Sequence, residues 1–335
     1  KKRPVVMDDK RYLAYVAEET KSGFEASVKE KSVSELPEGE VLVRVHYSSL
    51  NYKDALSASG HKGVTTNYPH TPGIDAAGFV EECSTADFES GDEVIVTSYD
   101  LGMNTPGGFG QYIRVPAQWV VPLPDGLSLR ESMMFGTAGF TAGMAVHEIL
   151  KETPNDKGEV LVTGSTGGVG SFAVAILARL GYRVVAVTGK PDAHEYLKQL
   201  GAARIISRQE ALDKKERPLL RPMWAAVVDT VGGEMLANAI KSTMQWGIVA
   251  VCGNVASPNL PINVFPFILR GVKVAGIDSA NCEMPHRKEI WNKLAAEWKP
   301  DLPKDTFDEI RLAGLDDKIQ KILRGQIRGR VLVEL

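Results

Sequence analysis

Four glycines punctuate the segment Gly164-Ser165-Thr166-Gly167-Gly168-Val169-Gly170. It follows the apolar run Val160–Val162 and precedes Ser171–Leu180, whose apolar residues recur at helical spacing. This arrangement suits a pyrophosphate. Glycine lets the backbone turn sharply and come close to a ligand, and a helix start offers free N–H groups and the positive end of a dipole. The spacing is Gly-x-x-Gly-x-x-Gly, not Gly-x-Gly-x-x-Gly, so the reading rests on the position between strand and helix. The next apolar run ends Val187-Thr188-Gly189-Lys190. Units that bind NAD usually carry an acid there for the ribose 2′-hydroxyl. A hydroxyl, a small residue and a cation suit a 2′-phosphate instead, and Arg204 on the following strand is expected to add a second cation. The dinucleotide expected is therefore NADPH. Asp192, beside Pro191, reads as a helix cap.

The rest of the chain offers little competing chemistry. Six histidines are scattered without His-x-x-x-His or His-Glu-x-x-His spacing. His46, His61, His70 and His147 read as surface or satisfied structural residues. Three cysteines, Cys83, Cys252 and Cys282, stand far apart without a Cys-x-x-Cys pair, which fits a reducing cytoplasm rather than a disulfide framework. Over 335 residues the net charge is −3, which gives no reason to expect nucleic acid. No apolar run reaches the ~18 residues of a membrane span, and the basic start has no apolar signal core behind it.

Stepping outward from the glycine turn, strand and helix alternate. Val160–Thr163, Val184–Val187, Arg204–Ser207, Ala225–Asp229, Ile248–Val251 and Val272–Ile277 read as strands, which predicts an α/β unit with a doubly wound parallel sheet. The first 125 residues read instead as β-rich, with strands at Val41–Tyr47, Ala76–Glu81, Glu93–Thr97 and Tyr112–Val115 broken by Gly, Pro and Asp turns. Ser128–Glu152 reads as a helix. A helical segment near Asp316–Leu323 and a strand at Val331–Leu335 end the chain and are expected to return to the first domain.

In combination, Ser48–Leu56 (SSLNYKDAL), Thr71–Val80 (TPGIDAAGFV), Gly91–Val96 (GDEVIV), Gly107–Ala117 (GGFGQYIRVPA) and Gly136–Val146 (GTAGFTAGMAV) with the VTGSTGGVG turn closely resemble the zinc-free medium-chain dehydrogenase/reductases, the quinone-oxidoreductase-like branch. NYKDAL, VDTVGGEML, PFILRGV, GIDSANC and the terminal QIRGRVLVEL resemble its YhdH/YhfP type, the acrylyl-CoA reductase family. The resemblance covers essentially the whole chain. It implies a GroES-like catalytic domain over residues 1–128, completed by about 300–335, a Rossmann domain over 129–299, and a cofactor lying in the cleft between them. It also implies NADPH contacts from Tyr52 at the nicotinamide end and from Thr166, Gly167, Gly168 and Val169 at the pyrophosphate. Thr188, Gly189, Lys190 and Arg204 are implied at the 2′-phosphate, with Asn254, Ile268 and Ser279 along the nicotinamide side. The chain departs from the pattern at Asn254, where a relative has Leu, and at Gly325, where a relative has Asn.

Zinc-dependent relatives carry Cys, His and acidic ligands on loops that here read Asn51-Tyr52-Lys53-Asp54 and Gly73-Ile74-Asp75. Cys and His are missing there, so no catalytic metal is expected. Metal-free hydride transfer suits an activated C=C bond. Charge then develops on a carbonyl oxygen, and a proton reaches the α-carbon from Tyr52 or from water. Tyr52 and Asn51 are the candidate catalytic residues. Tyr52 serves equally as a packing surface for the cofactor, and Asn51 as a helix cap. Lys53 and Asp54 are read as an ion pair, and Arg270 as either a structural group or a contact to a CoA phosphate. Three functions remain open: reduction of acrylyl-CoA or a similar short 2-enoyl-CoA, reduction of free quinones or enones, and NADPH binding without catalysis. The apolar segment Ile248–Ile277 and the resemblance point to a homodimer.

Overall fold

The computed structural model describes residues 10–213 and 217–335, which form two compact units. The first unit runs to Thr137 and takes in Glu283–Pro285 and Phe307–Leu335. It opens with a hairpin of β1 (Arg11–Thr20) and β2 (Gly23–Ser32), paired in unbroken register from Arg11↔Ser32 to Thr20↔Gly23. Along β1 burial alternates only over Arg11–Ala14, and from Ala14 to Ala17 both faces are covered, with Ala14 and Val16 in one core cluster and Tyr15 in another. A larger sheet follows, with β3 (Val41–Leu50), β4 (Asp75–Cys83), β5 (Glu93–Thr97), β6 (Tyr112–Val115) and β7 (Val120–Pro122). Val41, Val43, Val45, Val80, Val94, Val96 and Ile113 share its core. Helix α1 (Tyr52–Ala58) leaves the end of β3 directly.

Helix α2 (Leu129–Glu152) carries a kink at Gly136, where φ is 52°. The kink has a steric cause. A Cβ at Gly136 would lie 2.5 Å from the Asp75 carboxylate and 2.6 Å from the Arg330 guanidinium, so only glycine lets the helix approach them.

The second unit comprises Ala138–Cys282 and His286–Thr306. Its strands are β8 (Glu159–Val162), β9 (Arg183–Thr188), β10 (Arg204–Ser207), β11 (Trp224–Asp229), β12 (Thr243–Val251) and β13 (Lys273–Gly276). They pair in the order β10-β9-β8-β11-β12-β13, all parallel. Between them run α3 (Gly168–Arg179), α4 (His194–Gln199), α5 (Arg208–Ala211), α6 (Gly233–Lys241) and α7 (Phe265–Arg270), and α8 (Met284–Ala295) comes after β13. Strands covered on both faces read as continuous apolar runs, and Val160, Leu161, Val162, Val184, Val185, Val227 and Val228 are all buried. Strand order reverses beside β8, so the crevice at the carboxyl ends of β8 and β11 is where such a sheet holds a ligand.

The chain then returns to the first unit. Strand β14 (Phe307–Arg311), helix α9 (Leu315–Leu323) and β15 (Arg330–Glu334) extend its sheet to β14-β15-β3-β4-β5-β7, with β6 also on β3. Gly325, at φ +67°, ends α9 in the left-handed region.

Two sequence readings change. The hairpin β1–β2, strands β7 and β14 and helix α8 are additions to the expected elements, whereas the helix that Asn51 was expected to precede is α1. Asp192 lies inside the short turn Pro191–Ala193, and the residue before α4 is Ala193, so Asp192 is not its cap.

Candidate functional site

In the second unit the carboxyl edge of the sheet gathers most of the expected contacts. The turn after β8 is fixed from several sides. Ser165 Oγ donates to Val162 O (2.7 Å) and accepts from Val187 N–H (3.0 Å), tying the turn to β8 and β9. Thr163 Oγ1 donates to Asp229 at the end of β11 (2.7 Å), and Asp229 accepts from Gly232 N–H (2.8 Å). Burial holds the Asp229 carboxyl above its ordinary range.

The glycines are needed for space. A Cβ on Gly170 would stand 2.2 Å from Gly164 O, and Gly164 itself adopts φ +59°. Helix α3 opens at Gly167 without a side-chain cap, so the first N–H groups around Gly168 and Val169 are left to a ligand. Thr166 lies in the same turn. This is a backbone cradle of the kind a pyrophosphate fills.

Thr188 ends β9 and is nearly buried, with its hydroxyl accepting from Lys190 N–H (3.0 Å). Gly189 and Lys190 follow on the same edge. Arg204 does not join them. It is the first residue of β10, opposite Val185, and so lies three residues short of the carboxyl end, where Ser207 pairs with Thr188. Its guanidinium binds Glu159, the first residue of β8, at 2.6 Å and lies over the Trp224 ring. The residue paired with Thr188 is Ser207, and the cation next along the chain is Arg208. A Cβ on Gly189 would fall 2.9 Å from Arg208 Nε, so that guanidinium already lies against Gly189. Arg208 replaces Arg204 as the second cation near Lys190. The signal was available in sequence: Arg204 starts a strand and Arg208 follows its end, and ligands of parallel sheets sit at carboxyl ends.

Asn254 lies in the loop after β12, on the same edge, with its Cα 3.1 Å from the Cβ position of Gly232. Ser279 follows β13. Its hydroxyl receives a hydrogen bond from Thr141 (2.8 Å), and its carbonyl accepts from Arg287 (3.0 Å). Ile268 sits in α7 and is 67% exposed. Two residues on, Arg270 donates to the carbonyls of Leu220 (2.5 Å) and Lys241 (2.8 Å), at the amino edge. Those bonds occupy Arg270 as a structural group and remove it as a phosphate contact.

In the first unit, Tyr52 opens α1 and is 46% exposed. Asn51 before it and Asp54, Ala55, Ser57 and Ala58 after it are buried. Asp54 accepts from Asn51 N–H (2.7 Å) and Ile74 N–H (2.8 Å), which fixes the helix start to the following loop. Asp54 is thus a buried backbone acceptor and not the partner of Lys53. Desolvation, then the charge of Asp75, pushes its carboxyl up to about 7.

Asn51 donates to Asp75 (2.7 Å) and accepts from Arg330 (3.1 Å) through the two ends of its amide. That use makes it a positioning residue for the α1 start rather than a group facing substrate. Asp75 also accepts from Ser49 Oγ (2.7 Å) and from Thr137 N–H (3.0 Å) and Oγ1 (2.6 Å). Arg330, 3% exposed, lies 3.6 Å from it and donates to Ser49 Oγ and to Leu50 O. Burial works against the charge on Arg330, and Asp75 and Asp54 work for it. This network was not anticipated from sequence.

Comparison with known proteins agrees with both units. Residues 37–125 match the family model described as alcohol dehydrogenase GroES-like domain, and residues 168–297 match zinc-binding dehydrogenase. The "Putative quinone oxidoreductase YhfP" of Bacillus subtilis is 43% identical over 97% of this chain and 99% of its own length. The chain belongs to the quinone-oxidoreductase-like medium-chain dehydrogenase/reductases. "Acrylyl-CoA reductase AcuI" of Ruegeria pomeroyi is 45% identical to this dehydrogenase/reductase over 93% of the chain and 94% of its own. The crystal structure of the yhdH oxidoreductase from Salmonella enterica in complex with NADP is 42% identical, with a TM-score of 0.92 over 96% of this chain and 99% of that one. That of Bacillus subtilis yhfP, with NAD bound, has a TM-score of 0.95 over 97% and 100%. The fold is therefore a GroES-like unit plus a Rossmann unit.

The second family model carries zinc in its description, and the first-unit residues do not fit a catalytic zinc. Asp75 is already satisfied by an amide, two hydroxyls and a backbone N–H, and a guanidinium supplies the countercharge a metal would bring. The thiolate and imidazole ligands of such sites have no counterpart at Asn51–Asp54 or Gly73–Asp75.

Proposed function

We propose that this chain reduces an activated C=C bond with NADPH, converting acrylyl-CoA to propionyl-CoA without a metal. The observation that carries the cofactor choice is the end of β9, where Thr188, Gly189 and Lys190 replace an acid and Arg208 lies against Gly189. Two cations and a hydroxyl favour a 2′-phosphate through charge-assisted hydrogen bonds. The substrate choice is supported by AcuI of Ruegeria pomeroyi, named for acrylyl-CoA reduction.

NADPH, when bound, supplies a hydride for the β-carbon of the substrate. The chain's part is to hold the pyrophosphate on the turn from Thr166 to Val169 and the 2′-phosphate on Lys190 and Arg208, with Asn254, Ile268 and Ser279 assigned to the nicotinamide side. Negative charge then develops on the thioester oxygen, and the α-carbon takes a proton from the Tyr52 hydroxyl or from water, completing addition of two hydrogens across the double bond. Asn51 acts through Asp75 and Arg330 by fixing the start of α1, on which Tyr52 stands.

Reduction of free quinones or enones is the second reading, favoured by the name of YhfP. Loss of NADPH absorbance with acrylyl-CoA beside 1,4-benzoquinone separates the two. Strong turnover of the thioester alone supports the proposal, and preference for the quinone overturns its substrate. Saturable NADPH binding with no turnover of either would leave a cofactor-binding protein.

We also propose a cytoplasmic homodimer. Its three cysteines are free, and Val255, Val264, Ile268, Leu269 and Val274 stand exposed around the edge strand β13. A monomeric mass by light scattering at micromolar concentration overturns the dimer.

A further inference from the structure

We propose that the second unit carries a site for a divalent transition-metal ion, of which Zn2+ is the representative, formed by His147 on α2 with His286 and Glu289 on α8. The ligating atoms of these three side chains lie within 4.8 Å of one another. His147 Nδ1 is 3.9 Å from one Glu289 oxygen, and His286 Nδ1 is 3.3 Å from the other. Donors bound at ~2.0–2.1 Å around a tetrahedral zinc stand roughly 3.3 Å apart, so the set needs only small side-chain rotations to close on an ion. Two imidazoles and a carboxylate make a borderline donor set with open positions for water, suited to zinc, cobalt or nickel rather than to magnesium or calcium.

The frame that presents the donors is rigid. Gly143, four residues before His147, lets α8 come so close that a Cβ there would stand 2.9 Å from Ile290. Arg287, between the two α8 donors, is fully buried, donates to Ser279 O and lies over the Phe140 ring, which fixes the rotation of α8. His147 is half-buried beside Trp298. Two lysines stand one turn away and would repel a cation, but each is drawn to another acid: Lys151 to Glu148 at 2.7 Å, and Lys293 to Glu297 at 3.4 Å.

This site is separate from the loops that hold zinc in zinc-dependent relatives, and it stands whether or not the proposed reductase reaction does. Bound there, an ion would clip α2 to α8.

The test uses the whole chain, stripped with chelator and titrated with Zn2+ alone by calorimetry, beside His147→Ala, His286→Ala and Glu289→Gln. All three positions are partly solvent-accessible, and thermal unfolding without metal verifies each fold. One Zn2+ per chain is expected, weakened more than about tenfold by each histidine change, since even losing a group that only supports a ligand costs roughly 10–100-fold. Zn2+ should raise Tm in the wild type and not in His147→Ala. Absence of stoichiometric binding, binding unaffected by both histidine changes, or a thiolate charge-transfer band in the Co2+ form would each overturn the site.

Discussion

Replacing Arg208 by Ala should weaken NADPH selectively, and replacing Arg204 should not. The structure sets the size of both effects. Arg208 follows the end of β10 and lies against Gly189, next to Lys190. A hydrogen bond to a charged group is worth about 1.5–3 kcal/mol, or roughly 10- to 150-fold in Kd at 1.4 kcal/mol per tenfold. Arg208 is exposed, so screening at physiological salt places the loss near the lower end, about tenfold. NADH lacks the phosphate and should change less than about twofold under the same premise.

Arg204 begins the same strand, three residues before Ser207. At ~3.3 Å per residue that is about 10 Å from the carboxyl edge, beyond the ~8 Å Debye length, and its charge is engaged by Glu159. Its loss should change neither cofactor by more than about twofold. Fluorescence titration of both nucleotides against both variants measures this directly. A selective NADPH loss in Arg204→Ala, or an equal loss of both nucleotides in Arg208→Ala, would refute the reasoning.

Two further outcomes concern the buried charges of the first unit. Asp54 has its pKa raised from 3.8 in the unfolded reference to about 7 when folded. The folded state therefore holds the extra proton between those values, and this group's contribution to stability falls as pH rises through that window. Asp54→Asn is neutral throughout, so its Tm relative to wild type should climb from pH 5 to pH 8; a difference that stays flat or falls would contradict the assignment. Arg330→Met leaves Asp75 buried without its countercharge and should cost about 3–5 kcal/mol. Adding Asp75→Asn should recover part of that loss in urea unfolding, whereas strictly additive losses would show that the pair is not coupled.

The parallel sheet was legible because strands covered on both faces must be apolar throughout, as Val160–Val162 and Val184–Val187 are. The glycine turn was legible because Gly164 and Gly170 occupy positions where a Cβ meets backbone. The hairpin β1–β2 was harder to see: β2 is mostly exposed or half-buried, carries three consecutive charges at Lys29, Glu30 and Lys31, and has only Phe24, Ala26 and Val28 as apolar side chains, so its apolar signal is weak. The two arginines of LGAARIISRQE look alike in sequence, and only strand direction separates them. Asn51 reads equally as a cap or a substrate ligand until Asp75 and Arg330 are placed beside it, and Arg330 arrives from the far end of the chain through pairing of β15 with β3.

That pairing has a consequence for synthesis. Strands β14 and β15 both follow every strand of the second unit, so β3 is an open edge of the first unit's sheet until β15 has been made. The second unit is drawn from residues 138–306, interrupted only at Glu283–Pro285, and has all its strands before then. The part translated first is thus finished last, with the Asp75 carboxylate awaiting Arg330 throughout. Chains stalled just before Arg330 should yield to protease in the first unit while the second already resists, and equal resistance of both units would show that the early sheet closes without its last strand.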